Sequence, residues 1–73
     1  MGIIITFHTT YDSLKGETVL INAGLEIKIR PIPRHISSDC GLGIEGKIED
    51  KDKIIEVLEE NGVEYEGIYN LER

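Results

Sequence analysis

The chain is poor in the residues that lock small proteins together. It has one cysteine, no tryptophan, one phenylalanine, one methionine and two prolines in 73 residues. One cysteine closes no internal disulfide, so the core must hold by packing alone, as expected in a reducing cytoplasm. A Cys-x-x-Cys redox pair is excluded. With His8 and His35 as the only histidines, the side chains also fall short of the four ligands of a structural zinc site. No metal and no cofactor is expected. Basic residues are scarce as well: eight against fourteen acids, a net charge of −6, which argues against nucleic acid as a partner. No apolar run approaches the roughly 20 residues of a membrane span. Ile3 to Ile5 is too short for the hydrophobic part of a secretory signal and follows no basic leader. Membrane partners are therefore not expected, and the location read from these absences is cytoplasmic.

The catalytic motifs that are missing narrow the field further. Gly41-Leu42-Gly43 is too short for a phosphate-cradling loop and precedes a strand pattern rather than a helix. No Ser-His-Asp or cysteine-protease arrangement is present. A chain this small forms one domain, residues 1–73. It buries only about 60% of its unfolded surface, leaving no room for a deep enclosed substrate pocket. A surface loop, a partner-binding face or an oligomer interface suits it better.

What is present is ordered. Ile3-Ile4-Ile5-Thr6-Phe7 reads as a buried strand. Thr9 or Thr10 can cap a following helix, with Asp12 in its first turn. Tyr11, Leu14, Thr18 and Ile21 repeat at helical spacing as its apolar stripe, and Gly24 stops it. Gly16 inside this helix costs about 1 kcal/mol relative to alanine. Leu25, Ile27 and Ile29 alternate with charged residues as a half-buried strand that Pro31 and Pro33 end. Leu42, Ile44 and Ile48 suggest a third strand, weakened by Gly41, Gly43 and Gly46. Asp50 is a cap for a second helix with the stripe Ile54, Val57 and Leu58, ended by Asn61-Gly62. Val63, Tyr65, Gly67 and Tyr69 then alternate with Glu64, Glu66 and Ile68 as a last strand. Tyr11, Tyr65 and Tyr69 read as core or rim packing.

The order β-α-β-β-α-β predicts an α+β, ferredoxin-like sandwich. Its four-stranded antiparallel sheet would run in the order 4-1-3-2, with both helices on one face. In that topology the β2–β3 connection, the end of β1 with the start of the first helix, and the end of the second helix share one edge of the sheet. His8, Thr9 and Thr10 would then lie beside the segment Pro31-Ile32-Pro33-Arg34-His35-Ile36-Ser37-Ser38-Asp39-Cys40-Gly41.

That segment carries the chemistry. From Ile27 to Ser38 there is no acid, while Lys28, Arg30, Arg34 and His35 lie there together. From Glu45 onward acids outnumber bases by ten to four. The flanks of Cys40 are polar and turn-like, so its thiol is expected to be reachable. A thiol acts as a nucleophile in its thiolate form, which nearby positive charge or a helix N-terminus favours. Arg34 supplies a fixed charge, His35 or His8 a titratable one, and the first helical turn unpaired N–H groups. Asp39 opposes the thiolate. Ser37 and Ser38 can donate hydrogen bonds to a thiolate, a persulfide or a bound anion, and Gly41 allows close backbone approach. A reactive thiol without a resolving cysteine points to a carrier or a conjugation site, in which the cysteine holds a group that another protein takes, rather than to a free-standing enzyme. The plainer alternative makes Cys40 a small buried hydrophobe and the serines ordinary loop hydroxyls.

On these residues the chain resembles the selenium/sulfur carrier protein-like family. The likeness covers essentially the whole chain. It rests on Ile5-Thr6-Phe7-His8-Thr9-Thr10, on Pro31 to Gly41 as quoted above, and on Asn61-Gly62-Val63-Glu64-Tyr65-Glu66-Gly67-Ile68-Tyr69. The resemblance implies a bacterial or archaeal cytoplasmic protein that holds sulfur or selenium on a cysteine, in association with selenium-donor metabolism and the maturation of selenium-dependent hydroxylases. It maps that cysteine to Cys40, and the preceding arginine and serines to Arg34, Ser37 and Ser38. Family members often carry a third serine where this chain has Asp39.

Two expectations follow. In the first, Cys40 takes sulfane sulfur or selenium from a cysteine desulfurase or another selenium-donor protein and passes it on. Arg34 and a histidine then favour the anion, with Ser37, Ser38, Gly41, Thr9 and Thr10 around it. In the second, the chain is a small ferredoxin-like binding or adaptor module, a homodimer through a strand edge. Its basic loop would then bind a small anion or an acidic partner, and its cysteine would be structural.

Overall fold

The computed structural model describes residues 2–32, 36 and 41–71. Six regular elements follow one another: β1 (Gly2–Thr6), α1 (Thr10–Asn22), β2 (Lys28–Pro31), β3 (Leu42–Lys47), α2 (Lys51–Glu60) and β4 (Gly67–Leu71). The strands form one sheet in the order β2-β3-β1-β4, and every neighbouring pair is antiparallel. This is the α+β, ferredoxin-like arrangement expected from the sequence.

The register explains why the sheet holds. Ile29 lies opposite Ile44, Ile44 opposite Ile5, and Ile5 opposite Ile68, so one apolar row crosses all four strands. Above it, Leu20 of α1 and Ile54, Val57 and Leu58 of α2 complete a common core with Ile3, Ile5, Phe7 and Ile44. Both helices therefore cover the same face. Each fully buried side chain of this size contributes roughly 1.5–3 kcal/mol of transfer free energy. Ile4 and Thr6 point to the other face, yet they are as buried as Ile3 and Ile5.

Four readings need correcting in detail. The inward side of α1 is Ser13, Gly16 and Leu20, not the stripe Tyr11, Leu14, Thr18 and Ile21. Tyr11, Leu14 and Ile21 are exposed. The reason is close approach: a Cβ on Gly16 would stand 3.2 Å from Phe7 Cζ and 3.2 Å from Ile44 Cδ1, so only small residues fit where α1 crosses the sheet. Gly16 is thus a packing residue as well as a propensity cost. Second, β2 starts at Lys28, so Leu25 and Ile27 pack against the core from irregular chain ahead of it. Third, Asp50 occupies the N-cap position of α2 without a side-chain cap bond, because a 3₁₀ turn over Ile48–Asp50 already leads into the helix.

The fourth correction concerns β4. Val63 and Tyr65 reach the core, but so does Ile68, while Tyr69 is exposed. The alternation slips by one residue between Tyr65 and Ile68. The backbone shows where: Glu66 N–H donates to Thr6 O at 2.6 Å, although the ladder pairs Thr6 with Gly67. Two consecutive residues thus face one, as at a β-bulge.

Candidate functional site

The antiparallel ladder gives the molecule a defined upper edge. Thr6 ends β1 opposite Gly43 and Gly67, Pro31 ends β2 opposite Leu42, and α1 starts while α2 ends on the same side. Ile32 N–H donates to Gly41 O at 3.1 Å, so the two ends of the β2–β3 connection are joined there. His8, Thr9, Thr10 and Gly41 all lie on this edge. Cys40, Arg34, His35, Ser37, Ser38 and Asp39 lie outside the described residues. Ile36, within the same connection, is buried and stands apart from the helix-side core.

The described members have specific local roles. Thr9 is the N-cap of α1: its backbone is extended and its Oγ1 accepts from Asp12 N–H at 3.1 Å. Thr9 O accepts from Ser13 N–H at 3.2 Å. One of the otherwise unpaired first-turn donors, Asp12 N–H, is therefore already used by the cap. Thr10 O accepts from the buried Ser13 hydroxyl at 2.8 Å. Gly41 is exposed, and a Cβ built on it meets no described residue within 4 Å. At the far end of α2, Asn61 Nδ2 donates back to Val57 O at 2.9 Å, satisfying a terminal carbonyl.

His8 borders an open groove of about 570 Å³ whose other lining residues are Glu59, Gly62, Val63, Glu64 and Tyr65. The presence of Gly62 there agrees with the expected meeting of the α2 terminus and the start of α1. The two carboxylates were not anticipated. Their signal was available in the sequence: five acids between Glu56 and Glu66 without an intervening base. Nearby, Glu66 Oε1 is buried without a hydrogen-bond partner among the described residues. The side of His8 that faces this groove is anionic.

The basic stretch ahead of Cys40 is partly neutralised within the sheet. Arg30 Nη1 donates to Glu45 Oε1 at 2.7 Å across β2 and β3. At the opposite end, Lys47 Nζ lies 2.6 Å from Glu26 Oε1. That hydrogen bond, with the charge behind it, holds the Glu26 carboxyl below its ordinary range and raises Lys47 above its own. Both pairs line a larger cavity of about 750 Å³ along β2 and β3. Its two ion pairs cancel, and the remaining charged lining residue, Lys28, leaves the cavity with one excess positive charge. Among the described residues no three His, Cys, Asp or Glu side chains are grouped to hold a metal ion. No described helix is long and apolar enough to cross a membrane.

Comparison with known proteins gives a family match. The family model described as "Putative Se/S carrier protein-like" matches residues 2–70. Neither a curated protein nor a solved structure gives a significant match.

Proposed function

This chain belongs to the Se/S carrier protein-like family, and from that premise we propose that it carries sulfur or selenium on Cys40 between partner proteins. The observation that carries the reading is the extent of the family match, which spans the whole Pro31–Gly41 segment and its single thiol. The fold supports it: both ends of the thiol-bearing connection meet at an edge where the start of α1 and the end of α2 also lie.

The chemistry is a transfer without net oxidation. Cys40 thiolate attacks the terminal sulfur of a donor persulfide. The donor S–S bond (S–Se where the donor's terminal atom is selenium) breaks, the donor cysteine leaves as thiolate, and Cys40 holds the transferred atom as terminal S⁻ (or Se⁻). An acceptor nucleophile then attacks that terminal atom, and Cys40 leaves as thiolate. Low thiol pKa favours both steps, because Cys40 is nucleophile in the first and leaving group in the second. Arg34 and His35 supply positive charge. Ser37 and Ser38 donate hydrogen bonds, Gly41 lets the backbone approach the loaded group closely, and His8, Thr9 and Thr10 border that group. Asp39 works against the anion.

Intact mass after incubation with a cysteine desulfurase and cysteine or selenocysteine tests this. A reductant-labile sulfur or selenium adduct on the wild type and none on C40S is the expected result. No adduct, with a thiol that resists alkylation in the folded protein, would overturn the reading in favour of a binding module with a structural cysteine.

A further inference from the structure

Helix α1 is apolar on two sides. Ser13, Gly16 and Leu20 are buried against the sheet. On roughly the opposite side, Tyr11 is 72% exposed, Leu14 49% and Ile21 53%. They account for most of the large hydrophobic side chains exposed among the described residues. Thr18 lies between them, exposed, with its hydroxyl donating to Leu14 O at 3.2 Å, so its polar atom is satisfied within the helix. Steps of three, four and three residues make these side chains neighbours along one stripe of roughly 15 Å. This spacing is the seam on which a second helix packs.

A second copy of the chain is a poor occupant. Three side chains exposed to this degree present a few hundred Å², well short of the roughly 800 Å² per partner in a stable dimer. An antiparallel two-fold pairing along the stripe would also bring Lys15 towards its own copy and Glu17 towards its own copy at the flanking positions, where like charges repel. A transient partner fits better. The stripe begins at Tyr11, in the first turn of α1, and so runs up to the edge that holds Ile32 and Gly41, the ends of the thiol-bearing connection. A protein seated along α1 reaches that edge. A small apolar contact also releases easily, as successive docking events require.

We propose that the outward stripe Tyr11-Leu14-Thr18-Ile21 seats the persulfide-bearing donor protein, which lays an apolar helix face along α1 while its reacting cysteine meets the upper edge. The proposal rests on the carrier reading of Cys40.

The test compares two donors, a cysteine desulfurase with cysteine and inorganic polysulfide, on the wild type and the double variant L14K/I21E. Both substituted side chains are exposed, and circular dichroism with a melting curve verifies that the variant is folded. The expected result is a loading rate from the desulfurase at least ten-fold lower in the variant. Polysulfide loading should be unchanged, and both proteins monomeric by light scattering. Equal rates from the desulfurase overturn the proposal. So does a wild-type dimer that the double variant dissolves, which would assign the stripe to a second copy, or a wild type that accepts from polysulfide but not from the desulfurase. A wild type that accepts from neither donor removes the carrier reading itself, and the proposal with it.

Discussion

Gly43 shows how one missing side chain shapes the centre of the sheet. A Cβ there would stand 2.8 Å from Ile5 O and 2.9 Å from Ile4 Cγ1. Ile5 O belongs to a central strand hydrogen-bonded on both sides and cannot withdraw. G43A is therefore expected to lower stability by about 2 kcal/mol, read as a shift of the urea midpoint without a change in slope. Gly24 and Gly62, with φ of +84° and +69°, are glycines for the other reason, since each ends a helix in the left-handed region. These two stop signals are legible in the sequence, because they depend on local backbone alone. The role of Gly43 is not, because the atoms it makes room for are far away along the chain.

The two helices begin differently, and their caps should respond differently. Thr9 makes the side-chain bond that starts α1, so T9A is expected to cost about 1 kcal/mol. Asp50 makes no such bond at α2, leaving its charge beside the helix N-terminus, and D50A is expected to cost about half as much or less. Thermal melts of the two variants side by side check the ranking. The periodicity of α1 is evident from the sequence, but both of its sides have helical spacing. Which side docks was settled by clearance over Phe7 and Ile44. In α2 the stripe Ile54, Val57 and Leu58 is the only apolar face, and it is the buried one.

For the molecule as a whole, electrostatics adds little to the fold but sets a testable pH dependence. Glu26 titrates below its ordinary range because Lys47 hydrogen-bonds and attracts its charged form. Its contribution to stability is therefore present above the ordinary carboxylate pKa and lost as pH falls through the lowered value. Lys47 is raised by the same contact, so its contribution is present below the ordinary lysine pKa and lost as pH rises through the raised value. Both groups are solvated, so the effect is small and screened by salt. The urea midpoint of the wild type is expected to exceed that of E26Q slightly and evenly through neutral pH. The gap should close at acid and strongly alkaline pH and shrink at about 1 M salt. A gap that persists in acid would contradict the assignment.

The element order, the helix stops and the α2 stripe were determined by the residues themselves, because each depends on neighbours within a few positions. The ferredoxin-like topology followed from that order, since so short a chain has few ways to cover one sheet with two helices. The gathering of His8, Thr9, Thr10 and Gly41 at one edge followed from topology in turn. Tertiary structure alone decided the rest. It turned Tyr11, Leu14 and Ile21 outward, shifted the frame of β4 at Glu66, tied Arg30 to Glu45 and set Glu59 and Glu64 beside His8. Each of those outcomes depends on contact between segments distant in sequence, where clearance and register choose among local patterns of equal merit.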